Sequence, residues 1–458
     1  MPIATINPAS GETVKTFEPF SDEEVDSRIA RAVVTFREYR LTPFAQRAQW
    51  MQATADLLDN EHDDIARVMT TEMGKTLASA RAEAQKCARA FRFFAENAEQ
   101  LLADEPADAS AVGATRAYTT YQPLGVILAV MPWNFPLWQV VRFAAPGLMA
   151  GNVGLLKHAS NVPQTALYLE DVLRRGGFPE GAFQTLLIGA DGVERVLRNA
   201  NVVAATLTGS TGAGTSIAKV AGSEIKKTVL ELGGSDPFIV MPSADLDEAA
   251  KVAVTARCQN NGQSCIAAKR FIVHRDVFHA FSERFANSMR ALKIGDPMED
   301  GVDIGPLALE QGVRDVEELV DEAVAKGATI VCGGERPSGP GWFYPPTIVS
   351  GITPDMRIFH EEVFGPVASL YEVNDIDEAI DLANATVFGL GSNAWTRDPD
   401  ERARFVRDID AGAVFVNGMT TSYPELPFGG VKQSGYGREL SAHGIHEFCN
   451  IKTVWVKE

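Results

Sequence analysis

The chain has 458 residues, of which 45% are hydrophobic and 22% charged, and this composition is typical of a soluble globular protein with two or three domains. Its formal net charge of −18 and its pI near 4.9 argue against nucleic acids and anionic membrane surfaces as partners. Five scattered cysteines without a C-x-x-C pair are typical of a reducing compartment, and the histidines show no metal-ligand spacing, so we expect no metal site.

Neither the amino terminus nor the apolar run at 125–131 has the features of a targeting or membrane signal. Residues 1–8 lack the basic and long apolar parts of a signal peptide. The apolar run at 125–131 is stopped by a proline and is far too short to span a membrane. We therefore expect a cytoplasmic protein.

The first hundred residues are predicted to be mainly helical after a short extended start. Ser21 and Glu24 have the spacing of a capping box before a periodic run that ends at Tyr39. Thr42 and Pro43 are predicted to be the cap and the first residue of the next helix. A further helical pattern covers residues 71–102, and we assign all of these helices to the scaffold.

From residue 114 to residue 127 the pattern changes to short extended segments. Residues 116–122 alternate in polarity, and Pro-Leu-Gly follows at 123–125. This predicts a projecting hairpin, which needs a partner surface to be stable. Residues 450–457 alternate like an edge strand, which is suited to pairing with another subunit.

The next part of the chain alternates between buried strands and helices. Predicted strands lie at 126–131, 153–156, 183–188, 202–207 and 228–232, with helices near 138–149, 163–174, 192–198 and 213–221. This alternation predicts a parallel sheet covered on both faces, with ligands at the carboxyl ends of its strands. A second domain is predicted to begin near residue 236 and to contain a helix at 245–259.

Three features follow the ends of these strands. Asn134 lies in a proline-rich bend, where its amide either satisfies its own backbone or donates to a developing oxyanion. Lys157 either reaches solvent or binds a ribose or phosphate. The glycine-rich turn at 209–214 enters a helix, but it lacks the G-x-G-x-x-G spacing, so it is weak evidence for a dinucleotide and is equally compatible with a plain turn.

A candidate nucleophile, Cys265, follows the polar, glycine-containing segment QNNGQS at 259–264. The alternative is an inert buried cysteine. Glu231 lies 34 residues earlier inside the apolar run VLELGG, where a carboxylate is either structurally satisfied or tuned for proton transfer. A thiol and a tuned carboxylate together suggest covalent catalysis with a general base.

Two later segments are further candidates. Glu362 and Phe364 are two residues apart and point the same way in an extended chain, although a salt-bridged glutamate and a core phenylalanine are the alternative. The glycine-rich segment 427–439 is predicted to be a loop that passes close to the site.

Five motifs, taken in order, resemble those of the NAD(P)-dependent aldehyde dehydrogenase superfamily. They are PWNFP at 132–136, TLTGS at 206–210, LELGG at 230–234, GQSC at 262–265 and EEVFGP at 361–366. The resemblance covers nearly the whole chain, and within the superfamily it is strongest to bacterial NADP-dependent enzymes that oxidise succinate semialdehyde to succinate.

The resemblance implies an α/β, aldehyde-dehydrogenase-like fold of three parts. A Rossmann-type cofactor domain would comprise residues 1–113 and 128–235, and an α/β catalytic domain residues 236–426. A small β oligomerisation element would comprise residues 114–127 and 427–458, and the protein would be a homodimer or homotetramer.

The resemblance also implies roles for individual residues. Cys265 would attack the aldehyde, Asn134 would hold the oxyanion, and Glu231 would activate the water that hydrolyses the thioester. The implied cofactor-binding residues are Trp133, Lys157, Ser160, Gly209, Ser210, Leu232, Glu362 and Phe364.

Ser160 is a departure from the family that bears on the cofactor. Many NAD-preferring members have a glutamate at this position, which would chelate the adenosine ribose and repel a 2′-phosphate. Serine removes that charge and can donate a hydrogen bond. NADP is therefore the expected cofactor, with NAD possible.

The implied substrate-binding residues are Arg142, Trp138 and Ser422. Arg142 matches an arginine that binds a distal carboxylate in semialdehyde dehydrogenases, and the alternative is a surface ion pair. A second arginine of some such enzymes is Gln259 here. Oxidation of another short-chain aldehyde or semialdehyde, such as glutarate semialdehyde, therefore stays open, as does a catalytically silent binding or structural homologue.

Overall fold

Two large sheets, each covered by helices, form most of the protein. The computed structural model describes residues 2–458. The helices are α1 (Asp22–Tyr39), α2 (Phe44–Asn60), α3 (His62–Met73), α4 (Leu77–Leu101), α5 (Trp138–Ala150), α6 (Pro163–Arg175), α7 (Gly192–Arg198), α8 (Thr211–Ser223), α9 (Leu246–Cys258), α10 (Arg275–Arg290), α11 (Glu310–Ala325), α12 (Arg357–His360), α13 (Ile376–Asn384), α14 (Pro399–Asp408) and α15 (Ser441–Glu447).

The strands form five sheets. They are β1 (Ile3–Asn7), β2 (Glu12–Phe17), β3 (Glu105–Pro106), β4 (Arg116–Pro123), β5 (Val126–Met131), β6 (Val153–His158), β7 (Phe183–Thr185), β8 (Val202–Thr208), β9 (Lys227–Glu231), β10 (Asp236–Val240), β11 (Ala268–His274), β12 (Thr329–Cys332), β13 (Thr347–Ser350), β14 (Val367–Val373), β15 (Phe388–Gly389), β16 (Asn393–Trp395), β17 (Phe415–Val416), β18 (Val431–Lys432), β19 (Gly435–Tyr436) and β20 (Cys449–Val456).

The first sheet has the strand order β19-β9-β8-β5-β6-β7, and all of its pairs are parallel except β19 with β9. The five predicted strands and four predicted helices of this region are confirmed. β7 is shorter than predicted because Ile188 N–H donates to Leu186 O (2.9 Å), which turns the chain out of the sheet. The chain order reverses between β5 and β8, which is where ligands bind in such sheets.

The second sheet has the order β12-β13-β14-β11-β10-β16-β17 and is parallel except for β12. Neighbouring residues on its strands enter different cores, as Phe238 and Ile239 do on β10. Both faces are thus buried, which explains the continuous apolar runs. The predicted helix at 245–259 is confirmed as α9, with Asp245 as its cap.

The amino-terminal helices differ from the prediction in two places. Ser21 caps α1 as predicted, but Pro43 is itself the cap of α2, and Thr42 does not cap it. The helical pattern at 71–102 is broken, because Gly74 has φ +81° and ends α3. Lys75 is buried after this break and forms an ion pair with Glu83 of α4.

The predicted β element is narrower than expected. β4 pairs along its whole length with β20, and β3 pairs with the other edge of β4. Val126 and Ile127, however, begin β5, and residues 431–436 pair with β15 and β9 in the body of the protein. Gly435 makes this pairing possible, because a Cβ there would lie 1.9 Å from Leu230 O.

Within residues 2–458, every helix is too short or too polar to span a lipid bilayer. In the same part of the chain, His, Cys, Asp and Glu side chains form no group of three or more that could hold a metal ion.

Candidate active site

Cys265 follows a tight loop in which three successive residues have positive φ. The angles are 55° at Asn260, 57° at Asn261 and 76° at Gly262. Asparagine tolerates this region better than most residues, but Gly262 is obligatory, because a Cβ there would lie 2.4 Å from the carbonyl carbon of Gly365. A strained conformation of this kind persists only where its surroundings impose it.

Side chains of the loop itself impose that conformation. The amide of Asn261 donates to the carbonyls of Gly74 (2.8 Å) and Pro306 (2.9 Å), and its oxygen accepts from Gly305 N–H (2.9 Å). The break between α3 and α4 at Gly74 thus provides an acceptor for the loop that presents the thiol.

Asn134 is joined directly to the same loop. Its Nδ2 donates to Gln263 O (3.1 Å), and its own carbonyl accepts from Asn260 Nδ2 (2.8 Å). The Asx-turn alternative is therefore wrong, since the side-chain amide of Asn134 donates a hydrogen bond to Gln263, 129 residues later in the sequence, and not to its own backbone. This amide lies beside the loop that carries Cys265.

His158 fixes the bend that holds Asn134. Its Nδ1 accepts from Ala159 N–H (2.9 Å), so the proton is on Nε2, which donates to Pro136 O (2.8 Å). Burial lowers the pKa of His158 to about 4, which keeps the ring neutral around pH 7. The bend is thus held by a fixed tautomer.

Cys265 differs from the other four cysteines, because they are buried and it is partly exposed. Burial of its surroundings raises the pKa of its thiol to about 12, while the positive charges of Arg142 and Lys269 act in the opposite direction. The thiol is therefore neutral at pH 7, and an attack by sulfur requires that a base remove its proton.

Glu231 ends β9 and is 1% exposed, and neither of its carboxyl oxygens has a hydrogen-bond partner among the described residues. Burial, and next the charge of Glu439, raise its pKa well above the usual range. Gly234, three residues after Glu231, packs against the backbone of Cys265, since a Cβ on Gly234 would lie 2.5 Å from Cys265 O. An unpaired carboxyl beside a thiol fits proton transfer better than a structural role.

Arg142 is buried, so the surface ion-pair alternative is wrong. Its Nε lies 2.7 Å from Glu439 Oε2, and its guanidinium stacks 4.4 Å from the ring centre of Phe428. Both members of the ion pair are at most 4% exposed. Its role toward a substrate carboxylate stays a prediction, and Glu439 already neutralises its charge.

Trp138 and Ser422, the other two predicted substrate residues, are in contact although 284 residues separate them. The indole Nε1 of Trp138 donates to Ser422 Oγ (2.8 Å). Trp138 is one helical turn before Arg142 on α5, so the three predicted residues lie in one region.

A cavity of about 1190 Å³ opens at the carboxyl ends of β5 and β6. Trp133, Lys157 and Ser160 line it, as does Asp191. Lys157 is 8% exposed, so the snorkelling alternative is wrong, and no carboxylate among residues 2–458 forms an ion pair with it. Burial lowers the pKa of Lys157, and Asp191 opposes that shift. An unpaired cation in a large cavity fits an anionic ligand such as a nucleotide.

The remaining predicted cofactor residues are not part of the lining of this cavity. Ser210 caps α8 by accepting from Ala213 N–H (3.3 Å), and Gly209 precedes it at the end of β8. Leu232 packs against Gly214, where a Cβ would lie 2.6 Å from it. Capping and packing account for these positions.

Glu362 and Phe364 lie between the cavity and the thiol. The ring of Phe364 meets that of Trp133 edge to face, with centres 5.8 Å apart. Glu362 is salt-bridged to Lys269 (3.0 Å), as the alternative for this residue expects, whereas Phe364 is half-buried and is not a core residue. Lys269 also donates to the carbonyl of Cys265 (2.8 Å), so it joins the carboxylate to the nucleophile loop.

Residues 1–454 match the model of the family described as Aldehyde dehydrogenase family. The chain belongs to the aldehyde dehydrogenase family. The resemblance and the α/β fold class predicted from the sequence are thereby confirmed.

Relatives of this aldehyde dehydrogenase include proteins named succinate-semialdehyde dehydrogenase, NADP(+). One from Mycolicibacterium paratuberculosis is 70% identical over 457 residues, which cover 100% of this chain and 97% of that protein. One from Mycobacterium tuberculosis is 68% identical over 456 residues, which cover 100% of both. The solved structure of succinic semialdehyde dehydrogenase from Streptococcus pyogenes in complex with NADP+ is 37% identical, with a TM-score of 0.97 over 99% of this chain and 100% of that one.

Three charged residues of this aldehyde dehydrogenase site were not identified from the sequence: Lys86, Lys269 and Glu439. Glu439 ends the glycine-rich segment 427–439 and Lys269 lies four residues after Cys265, but neither has a spacing that marks it. Lys86 does carry a signal, since a lysine three residues after Glu83 and four before Ala90 lies on the buried side of α4.

Proposed function

We propose that this aldehyde dehydrogenase oxidises succinate semialdehyde to succinate with reduction of NADP. The aldehyde, water and NADP+ give the carboxylic acid, NADPH and a proton, so one hydride leaves the aldehyde carbon and one oxygen enters it. The observation that carries the proposal is a partly exposed thiol, Cys265, set among the amide of Asn134 and the unpaired carboxyl of Glu231. The names of relatives that are 68–70% identical support the choice of substrate and cofactor.

The roles of the three residues follow from their chemistry. The Cys265 thiol loses its proton to solvent and its sulfur attacks the aldehyde carbon, while the Asn134 amide donates a hydrogen bond to the oxygen that becomes negative. After the hydride has left, the acyl group is a thioester on Cys265. Glu231 then takes a proton from the water that attacks this thioester, and the thiol is regenerated.

The cavity at Trp133, Lys157 and Ser160 fits a phosphorylated dinucleotide. Its volume of about 1190 Å³ is generous for one, and Lys157 brings a positive charge without a carboxylate partner. Ser160 and Lys157 would hold the adenosine ribose and its 2′-phosphate, while Trp133 and Phe364 would lie toward the nicotinamide. When bound, the nicotinamide supplies a hydride acceptor. Gly209, the capping residue Ser210 and Leu232 are proposed to support this site from the side of α8.

A substrate panel tests the proposed function. With NADP, we expect kcat/KM for succinate semialdehyde to exceed that for butyraldehyde, an uncharged aldehyde of the same length, by about 100-fold, because a paired carboxylate contributes that much in a water-poor pocket. Equal values would instead favour an uncharged aldehyde, and a higher value for glutarate semialdehyde would favour the longer acid. If no aldehyde of the panel yields NADPH, the silent-homologue alternative is correct.

Ser160→Glu is expected to reverse the cofactor preference. A carboxylate beside the 2′-phosphate repels it, so kcat/KM for NADP should fall by about 100-fold while the value for NAD changes little or rises. Steady-state kinetics with both cofactors at saturating aldehyde measure this. Ser160→Ala is the matched control and should lose less than about tenfold, because only a hydrogen bond is removed. A similar loss for both cofactors in the glutamate variant would contradict this placement of the phosphate.

We also propose that the protein is a homodimer or homotetramer joined through β20. Among residues 2–458 no strand pairs with one edge of β20, and Ile451 and Trp455 on this strand are 63% and 51% exposed. Light scattering on the purified protein decides between the two states, and a monomer would contradict the proposal. The five free cysteines support a cytoplasmic location.

A further inference from the structure

Lys86 is a cation without a carboxylate partner, and it lies in the predicted substrate region beside Trp138 and Ser422. It lies on α4, and its Nζ donates to Ser422 Oγ (3.0 Å) and sits 4.2 Å from the ring centre of Trp138. No Asp or Glu among residues 2–458 forms an ion pair with it. A partly buried ammonium that lacks an anion is costly to retain, so the arrangement points to an anionic ligand.

Ser422 adds a second donor at the same place. Its oxygen accepts from both Lys86 Nζ and Trp138 Nε1, so its own hydroxyl proton is directed away from both. Within residues 2–458, this hydroxyl donates to no acceptor. Lys86 and Ser422 together therefore present an N–H and an O–H that remain free for the two oxygens of a carboxylate.

Arg142 cannot supply the missing positive charge by itself. Its guanidinium is neutralised by Glu439 at 2.7 Å, whereas Lys86 is not neutralised. Lys86 contacts Trp138, which lies one helical turn before Arg142 on α5, so the two cations belong to the same region of the protein.

We propose that Lys86, together with Ser422, binds the distal carboxylate of the semialdehyde and so sets the preference for acidic aldehydes. This inference rests on the proposed function and assigns the charge recognition to α4. Arg142 then has a supporting part, as the fixed partner of Glu439 beside the catalytic carboxyl.

The pKa of Lys86 provides a second measurement. Burial, and next the positive charge of Arg142, lower this pKa to about 8. The charged or titratable groups that face Lys86 are Arg142 on α5, Glu83, Cys87 and Arg89 on α4, and Glu425 near Ser422. Glu83 is paired with Lys75, and Arg89 with Glu425.

Lys86→Met tests the inference, since methionine keeps an unbranched side chain that is one atom shorter and removes the charge. We expect KM for succinate semialdehyde to rise by about 30- to 100-fold, while kcat, and kcat/KM for butyraldehyde, stay within about threefold. Arg89→Met is the matched control: it removes the same charge from the same helix, its side chain is 60% exposed, and the KM should not change. In the unaltered protein, KM for succinate semialdehyde should rise above about pH 8 as Lys86 loses its proton, and the KM for butyraldehyde should not.

The outcomes separate the two proposals. If the unaltered protein prefers succinate semialdehyde and Lys86→Met keeps that preference, the role of Lys86 is wrong and the function stands. If the unaltered protein shows no such preference, the proposed function itself is wrong. Should the variant fail to fold, a pH-independent KM in the unaltered protein would still overturn the inference.

Discussion

Cys265→Ala is expected to lower aldehyde-dependent NADPH formation by more than about 10⁴-fold, because the covalent route then has no nucleophile. The change removes one sulfur atom from a partly exposed position, so the fold should survive. NADPH absorbance at saturating NADP and succinate semialdehyde measures the rate. Retained turnover in this variant would exclude the covalent route altogether.

Cys332→Ala is the matched control for the nucleophile. Cys332 ends β12 of the second sheet, is 7% exposed and packs in a different hydrophobic cluster from Cys265. This variant should lose stability by about 1 kcal/mol through the lost packing but should keep its kcat. Quenching of the tryptophan fluorescence by NADP, to which Trp133 in the cavity contributes, is measured in both variants and shows whether the cofactor site is intact.

The first sheet was predicted well because its strands are buried on both faces. A strand such as β5 is then an uninterrupted apolar run bounded by Pro132 and by Gly125, and no other information is needed to locate it. The break between α3 and α4 was missed because Gly74 and Lys75 interrupt a periodic pattern without changing its phase. The reason for the break is tertiary, since Gly74 O accepts from Asn261 across 187 residues.

The candidate site was predicted in part. Asn134, Glu231 and Cys265 were found because each occurs in a short motif whose residue types are unusual where they stand. Lys86 was missed because its significance comes from Ser422, 336 residues away, and from Glu439 having already paired with Arg142. Pairing of this kind depends on how α4, α5 and the late loops pack, and local sequence does not report it.

The raised pKa of Glu231 leads to a prediction about the second half of the reaction. Glu231→Gln keeps the shape of the side chain but cannot accept a proton, so hydrolysis of the thioester should fail while the first hydride transfer proceeds. We expect a burst of about one NADPH per active site, followed by a steady-state rate lower by about 10²- to 10⁴-fold. Rapid mixing of enzyme and NADP with succinate semialdehyde measures both phases.

The Glu231 carboxyl group also determines the direction in which kcat changes with pH. Glu231 acts as a base only when ionised, and burial together with the charge of Glu439 raises its pKa. The kcat of the unaltered protein should therefore increase as pH rises, at a higher pH than for an ordinary carboxyl group. Glu231→Gln should lack this increase. Hydroxylamine attacks a thioester without needing a base, so when it is added after the burst it should release the bound acyl group as a hydroxamate and restore the free thiol. The contrary outcome is that both the burst and the steady-state rate disappear and hydroxylamine restores nothing. Glu231 would then act before the thioester forms, as the base that deprotonates the Cys265 thiol. The pKa of this thiol, about 12, is consistent with the need for such a base.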